Sequence, residues 1–486
     1  MDFIQQQLVD PVSEVLYTRV LIFFLVGAGI YFTVRTRFVQ IRYFRRMLGQ
    51  LRRSRDGDGV SSFQAFCVGL ASRVGTGNIA GVAIALTLGG PGAIFWMWVV
   101  AALGMTTALI EATLAQIFKV RAGDGSFRGG PAFYIQRGLG SRAGGVVFAL
   151  LLVVTFGVAF NMVQANAISD VLKTSHAVAV EWTTVGLVVL ATPVLFGGLR
   201  VVSRVAGAVL PVVAAAYVML AAVIVVANIT ELPRVIEQII GGAFGIRELA
   251  GGFSGGISAA MLNGVRRGLF SNEAGMGSAP NIAATATVSH PVLQGLIQSL
   301  GVFVDTFLVC SATAFIILVA GPGVYDPAHS GLIAGATLTQ SAVAACLGSW
   351  TTGLMTVLVF VFAFSAVLAN YLCAEVNLSF LGARGGTITA FRVVVLISIA
   401  FGAIAKLAMV WTLADIAMGL LALVNLVAIC LLARWAFAAL RDFQRQADVG
   451  CVPVFVAEEA DLPGVLDGDI WDRQKQPVLD GAGVLR

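Results

Sequence analysis

The stretch ASRVGTGNIAG, residues 71–81, sets an arginine, three glycines, a threonine and an asparagine inside an apolar run from Phe63 to Leu86. Glycine costs a helix about 1 kcal/mol relative to alanine. A helix broken in hydrocarbon also leaves N–H and C=O groups unpaired, so such a break must line a cavity or be buried in protein. The chemistry open to it follows from its ends. A half-helix N-terminus presents free N–H groups and partial positive charge, which suit a carboxylate. Half-helix C-termini and unwound carbonyls suit a monovalent cation or an ammonium group. A small zwitterion together with a cation satisfies both.

A second interruption is expected in ELAGGFSGGISAAMLNGV, where Gly251, Gly252, Gly255 and Gly256 surround Phe253 and Ser254. Paired breaks at corresponding places in two inverted halves point to a transporter binding site.

The elements that must position these breaks are membrane helices. Of 486 residues, 58% are hydrophobic and only 12% charged, against about a quarter charged in soluble domains. A span needs roughly 20 mainly apolar residues. Eleven are expected, at 17–34, 62–86, 91–118, 144–172, 182–199, 205–228, 243–265, 292–320, 350–378, 388–408 and 411–436. The expected fold is an all-α polytopic membrane protein. An extra N-terminal helix (17–34) precedes a first five-helix repeat (62–228) and an inverted second one (243–436), within a transporter domain of residues 1–445. The short apolar segment 331–348 is expected as a helix on the outer surface. The acidic stretch 446–486 is expected as a flexible cytoplasmic tail.

Charge orients the spans. The first loop, RTRFVQIRYFRRMLGQLRRSRDGD, carries eight arginines, and basic residues recur in every second loop, including Arg266 and Arg267 after the seventh span. By the positive-inside rule the N-terminus is outside and the C-terminus cytoplasmic. The start MDFIQQQLVDPVSEV does not read as a cleavable signal peptide.

Charges at mid-membrane depth need a partner or a wet cavity. Arg73 is expected in an ion pair on the cytoplasmic side of the first break, and Glu111 pairs with a basic neighbour such as Arg73. Asp305 is expected to bridge helices. Glu375 and Asp415 are placed at span ends. Glu273 follows the seventh span in a short amphipathic helix, with a gate or vestibule role as the functional alternative. His176, His290 and His329 are expected in solvated loops.

Several classes are excluded or disfavoured. The six cysteines form no CxxC pair and read as small hydrophobes. No GxxxxGK[ST] motif occurs, so neither ATP nor another cofactor is expected. No HExxH or serine–histidine arrangement lies in a span, so the chain is not expected to be an enzyme. Nucleic acid is not an expected partner, because the net charge of +5 comes mainly from loops beside the bilayer. A proton route would need an acid in the central cavity, and neither break contains one. Neutral oxygens there favour sodium.

Three stretches carry a family resemblance: SSFQAFCVGLASRVGTGNIAGVAIALTLGGPGAIFWMW (61–98), FRGGPAFYIQRGLG (127–140) and GVRRGLFSNEAGMGSAP (264–280). They resemble the alanine or glycine–cation symporter family over roughly residues 20–440. The resemblance implies a leucine-transporter-like fold with one extra helix. It also implies sodium-driven uptake of alanine or glycine across a bacterial inner membrane. By that resemblance Thr76, Gly77, Asn78, Phe160, Gln164, Phe253, Ser254, Gly255 and Asn370 face the substrate. Gly75, Thr76, Phe364 and Ser365 ligate sodium, mainly through carbonyls and the hydroxyl. The ninth span departs from the usual pattern, reading SAVLAN where many members read STILGW. Ala366 thus replaces a threonine able to ligate sodium, and Asn370 replaces a pocket tryptophan.

Overall fold

The computed structural model describes residues 10–53, 60–123, 125–197, 199–245, 256–326, 335–466, 468 and 470–472. The chain is a predominantly helical polytopic membrane protein. Among the described residues seven helices are long and apolar enough to cross a membrane, or nine if each of two bent pairs counts as one span.

In chain order, α1 (Pro11–Arg35) leads through a single turn to α2 (Phe44–Arg53), a strongly basic helix. The first broken helix follows as α3 (Ser62–Arg73) and α4 (Gly77–Gly89), bent by 50°. Its start is a capping box. Ser61 accepts from the Gln64 N–H while the Gln64 side chain accepts from the Ser61 N–H. Then come α5 (Gly92–Ile117), the two-residue strands β1 (Val120–Arg121) and β2 (Phe127–Arg128), and α6 (Pro131–Gly138). Next are α7 (Arg142–His176), α8 (Val180–Phe196) and α9 (Leu199–Ala227). Helix α10 (Leu232–Ala243) turns away from α9 by 80°. The second half comprises α11 (Gly256–Asn272), α12 (Ala279–Ala283), α13 (Pro291–Val319), α14 (Ala336–Leu347), α15 (Thr351–Phe380), α16 (Gly386–Ile404) and α17 (Leu407–Asp448).

Helix α5 is the buried axis. Every residue from Gly104 to Ile117 is buried, and it packs most heavily on α11 and α13. The lipid-facing band is carried by the periphery, where Val223 and Val226 on α9 and Ile397 and Ile404 on α16 are exposed. Small residues set the helix separation, as expected where apolar burial gives no drive between helices in lipid.

Several expectations are corrected. The expected interruption at 251–256 falls almost wholly outside the described residues, and the structure describes a further one beyond it. Helix α11 runs unbroken from Gly256 to Asn272, and the chain then reverses through residues 273–278 before α12. Glu273, Gly275 and Gly277 there have φ of +56°, +91° and +82°, the left-handed region that ends helices. Phe253, Ser254 and Gly255 lie outside the described residues. Arg266 and Arg267 are therefore helical, not loop residues. Helix α8 is short for a span, at 17 residues.

The segment expected on the outer surface packs inward: Ala336–Gln340 are buried, and Thr339 Oγ1 donates to Ile79 O at 3.3 Å. His290, expected in a solvated loop, is fully buried. Its Nδ1 accepts the Val292 N–H at the start of α13, and its Nε2 lies 3.3 Å from Asp442 Oδ2. His176 lies at the α7 C-terminus, and its Nε2 is 2.8 Å from Thr356 Oγ1. His329 lies outside the described residues. Asp415 is buried in an ion pair with Arg267, not interfacial.

The C-terminal segment does not hang free. The Phe455 N–H donates to Ser289 O at 2.9 Å, and the buried Trp471 indole donates to Gln116 O at 3.1 Å. The tail thus ties the ends of α5, α13 and α17 together on the face that carries the basic loops.

Candidate functional site

The two interruptions meet. Helix α3 ends at Arg73, and Val74 leaves it in an extended conformation (φ −79°, ψ 90°). Ser72, the penultimate residue of α3, donates its hydroxyl to both Glu273 carboxylate oxygens at 3.0 Å, so one break is tied to the other. Ser278, at the far end of the second break, donates to Glu273 Oε2 at 2.5 Å. A Cβ at Gly77 would lie 2.9 Å from the Phe270 ring, so glycine there lets α11 come close to the first break.

Asn78 closes the first break on itself. Its Oδ1 accepts the Gly75 N–H at 3.0 Å, and its Nδ2 donates to Asp305 Oδ1 at 2.6 Å. Asp305 sits in a π-helical segment of α13 and also accepts from Ser271 at 2.8 Å and from Thr306 at 2.9 Å. It therefore joins α4, α11 and α13. The amide of Asn78 is committed to these protein partners.

Gln164 reaches the break from α7. Its Oε1 accepts the Thr76 N–H at 3.1 Å, while the buried Thr76 Oγ1 has no protein partner. Helix α15 closes the other side. A Cβ at Gly75 would come within 2.9 Å of the Ala366 Cβ, so Ala366 and the adjacent Ser365 flank the unwound segment. The Ser365 hydroxyl donates to Phe362 O at 2.9 Å, and the Phe364 ring stacks on Phe360 at 5.6 Å. Asn370 lies one helical turn further along and donates to Asn161 Oδ1 at 3.1 Å, with its own Oδ1 buried and unpartnered. The sequence-derived residues Gly75, Thr76, Gly77, Asn78, Gln164, Ser365 and Asn370 thus converge on one region.

An aromatic row covers the site. Phe160 lies 4.5 Å from Phe270, and Phe270 lies 4.7 Å from Trp411 (ring centroids). The Arg267 guanidinium sits 4.6 Å above Trp411 and is ion-paired with Asp415.

The charges differ from expectation. Among the described residues Arg73 makes no direct ion pair; its Nη1 donates to Gln298 O at 3.2 Å, and its buried Nε and Nη2 have no partner among them. Glu111 does not pair with Arg73. It accepts from the Gly275 N–H at 3.4 Å and from Asn425 Nδ2 at 2.9 Å, which pins the second break to α5 and α17. Glu111, Glu273 and Asp305, all buried, are close enough to the Arg73 guanidinium to act on it electrostatically. Two acids that the expectation did not count lie next to the first break: Glu273, bonded to Ser72, and Asp305, bonded to Asn78. Among the described residues no cluster of three His, Cys, Asp or Glu suits a bound metal.

Sequence reasoning missed Ser72, Phe270, Ser271, Arg267, Trp411 and Asn425. A usable signal was present in NEAGMGSAP, where two glycines and a proline follow an otherwise helical run.

The family model described as the sodium:alanine symporter family matches residues 1–457. A probable sodium/glutamine symporter of Bacillus subtilis is 45% identical over 94% of this chain and 94% of that one. A sodium/alanine symporter of Methanococcus maripaludis is 35% identical over 89% of this chain and 95% of its own length. A crystal structure of a manganese transporter variant from Eremococcus coleocola shares the fold, with a TM-score of 0.52 at 15% identity over 78% of this chain and 79% of that one.

Proposed function

Because the chain belongs to the sodium:alanine symporter family, a family of transporters and not enzymes, we propose that it imports small neutral amino acids, alanine and glycine, with sodium by alternating access. The observation that carries this reading is the meeting of two interrupted helices at Ser72–Glu273, beside the Asn78–Asp305 bond to α13. Discontinuous helices at the centre of a bundle are where transporters hold substrate and coupling ion.

In this reading the substrate carboxylate lies at the N-terminal end of α4, against the N–H groups of Thr76 and Gly77. Gln164 exchanges its bond with the Thr76 N–H for one with the substrate. Phe160 and Phe270 wall the side-chain pocket, and Asn370 adds a polar rim. Sodium is held by carbonyls of Gly75, Thr76 and Phe364 and by the Ser365 hydroxyl. Arg267–Asp415 and the Phe160–Phe270–Trp411 row form the outer barrier that must part for entry. The expected eleven-span arrangement, an extra N-terminal helix before a first repeat at 62–228 and an inverted second repeat at 243–436, fits this mechanism. By the positive-inside rule the basic loops support a cytoplasmic C-terminus, and in this reading the spans lie in a bacterial inner membrane.

A second reading, proton coupling, is favoured by the acids Glu273 and Asp305 at the breaks. Selectivity tests the first reading. Labelled alanine uptake is competed with glycine, serine, glutamine and leucine. Inhibition by glycine and serine but not leucine or glutamine is expected; strong inhibition by glutamine alone moves the substrate to a larger amide.

A further inference from the structure

The loop at residues 284–290, between α12 and α13, is gripped from three directions. Gln116, at the end of α5, donates from Nε2 to Ala283 O at 2.5 Å and to Ala286 O at 3.1 Å, and Lys119 Nζ donates to Ala286 O at 3.2 Å. The Thr287 N–H donates to Val60 O at 3.0 Å, directly before the capping box that starts α3. The C-terminal segment supplies the third grip. The Phe455 N–H donates to Ser289 O and Ser289 Oγ donates to Pro453 O, both at 2.9 Å. The loop therefore joins α3, which enters the first break, to α12, which leaves the second.

From this loop the C-terminal segment crosses to α5. Val454 exchanges two bonds with the Gln446 side chain, at 2.8 and 2.9 Å, which fixes how the chain leaves α17. The Phe455 ring lies 5.3 Å from the Trp471 ring (centroids), and the Ala457 N–H donates to Trp471 O at 3.2 Å. The Trp471 indole N–H reaches Gln116 O at 3.1 Å, and the Lys119 ammonium lies 4.8 Å over the Trp471 ring. Both aromatic side chains are buried, and such burial is what holds an otherwise acidic stretch against the protein. One strap thus grips the loop with Phe455 and the end of α5 with Trp471, and the two grips touch each other. A contact made in one arrangement and lost in another favours the first by its own free energy. Release of a ligand toward this face needs the half-helices to rock away from their neighbours, so the strap bridges parts that must separate.

We propose that the C-terminal segment, docked through Phe455 and Trp471, is an autoinhibitory strap: it holds the seam between α5 and the 284–290 loop closed and thereby slows the transport cycle. Its part in the cycle rests on the transport reading above; its hold on the seam does not.

The test compares the full-length chain with Trp471→Ala, which removes the grip on α5. Hydrogen exchange read by mass spectrometry needs no substrate. Amides of residues 60–66 and 284–290 should exchange about fivefold faster in the variant, the size of one lost tie, while those of α16 keep their rates. In proteoliposomes with a sodium gradient, the initial rate of labelled alanine uptake should rise by a similar factor. That rise separates a strap from a plain structural clamp, whose loss lowers Tm and leaves uptake equal or slower. Unchanged exchange overturns the proposal, and so does faster exchange with uptake equal or lower. Absence of alanine uptake from both chains faults the transport reading instead, and the exchange rates then uphold or overturn the strap by themselves. Should Trp471→Ala fail to fold, Trp471→Phe keeps a ring and loses the N–H, and it should move both readings the same way by a smaller factor.

Discussion

Asn78 donates to the Asp305 carboxylate at 2.6 Å while accepting the Gly75 N–H at 3.0 Å. One side chain therefore fixes the shape of the first break and couples it to α13. Replacing Asn78 with alanine leaves Asp305 and the Gly75 N–H short of a partner in a buried setting, at a cost of about 1–3 kcal/mol for each group. The variant should lose thermal stability in detergent and most of its transport. An unchanged Tm and uptake would show that the bond carries nothing.

Gln164 touches the same break from α7. Gln164→Ala should weaken alanine binding by roughly 1–3 kcal/mol while leaving Tm nearly unchanged. Binding of labelled alanine to purified protein reads this directly. Unaltered affinity in a folded variant removes Gln164 from the site.

Ala366 lies against Gly75, where a hydroxyl would face the unwound carbonyls. Ala366→Thr should raise sodium affinity, read as a lower sodium concentration for half-maximal alanine binding. An unaltered or higher concentration, with folding intact, argues against sodium at this place.

Much of the first break was legible because RVGTGN sets polar and glycine residues inside an apolar run. The reversal at 273–278 was not anticipated, and the reason is physical. Gly275 and Gly277 are a weak local signal, and Arg266–Arg267 look like a loop until Arg267 meets Asp415, 148 residues away in sequence. Ion pairs across such separations leave no local pattern. The same holds for Glu111, whose partners Gly275 and Asn425 come from other elements. The docked tail was missed because its anchors, Phe455 and Trp471, are single apolar residues in an acidic stretch with no period.

That tail gives a pH dependence. Burial holds the His290 imidazole below its ordinary value of 6.5, and its Nδ1 must stay unprotonated to accept the Val292 N–H. A group with a depressed histidine value binds its proton more readily in the unfolded state. Its contribution is therefore complete above about 6.5 and is lost as pH falls below that. Tm should drop between pH 7 and pH 5. A chain ending at Asp448 loses the Phe455 ring that covers His290 at 5.1 Å, so its Tm should be lower at pH 7 and less sensitive to acid. Equal slopes in the two chains would disconnect His290 from the tail.

The central claim is sodium-coupled transport through the paired breaks. Its most direct measurement is labelled alanine uptake into proteoliposomes under an imposed sodium, lithium, potassium or pH gradient, one at a time. The account predicts concentrative uptake with the sodium gradient alone, abolished by Ser365→Ala combined with Gln164→Ala. Concentrative uptake driven by the pH gradient without sodium, and lost in Glu273→Gln or Asp305→Asn, would contradict sodium coupling and assign the drive to protons.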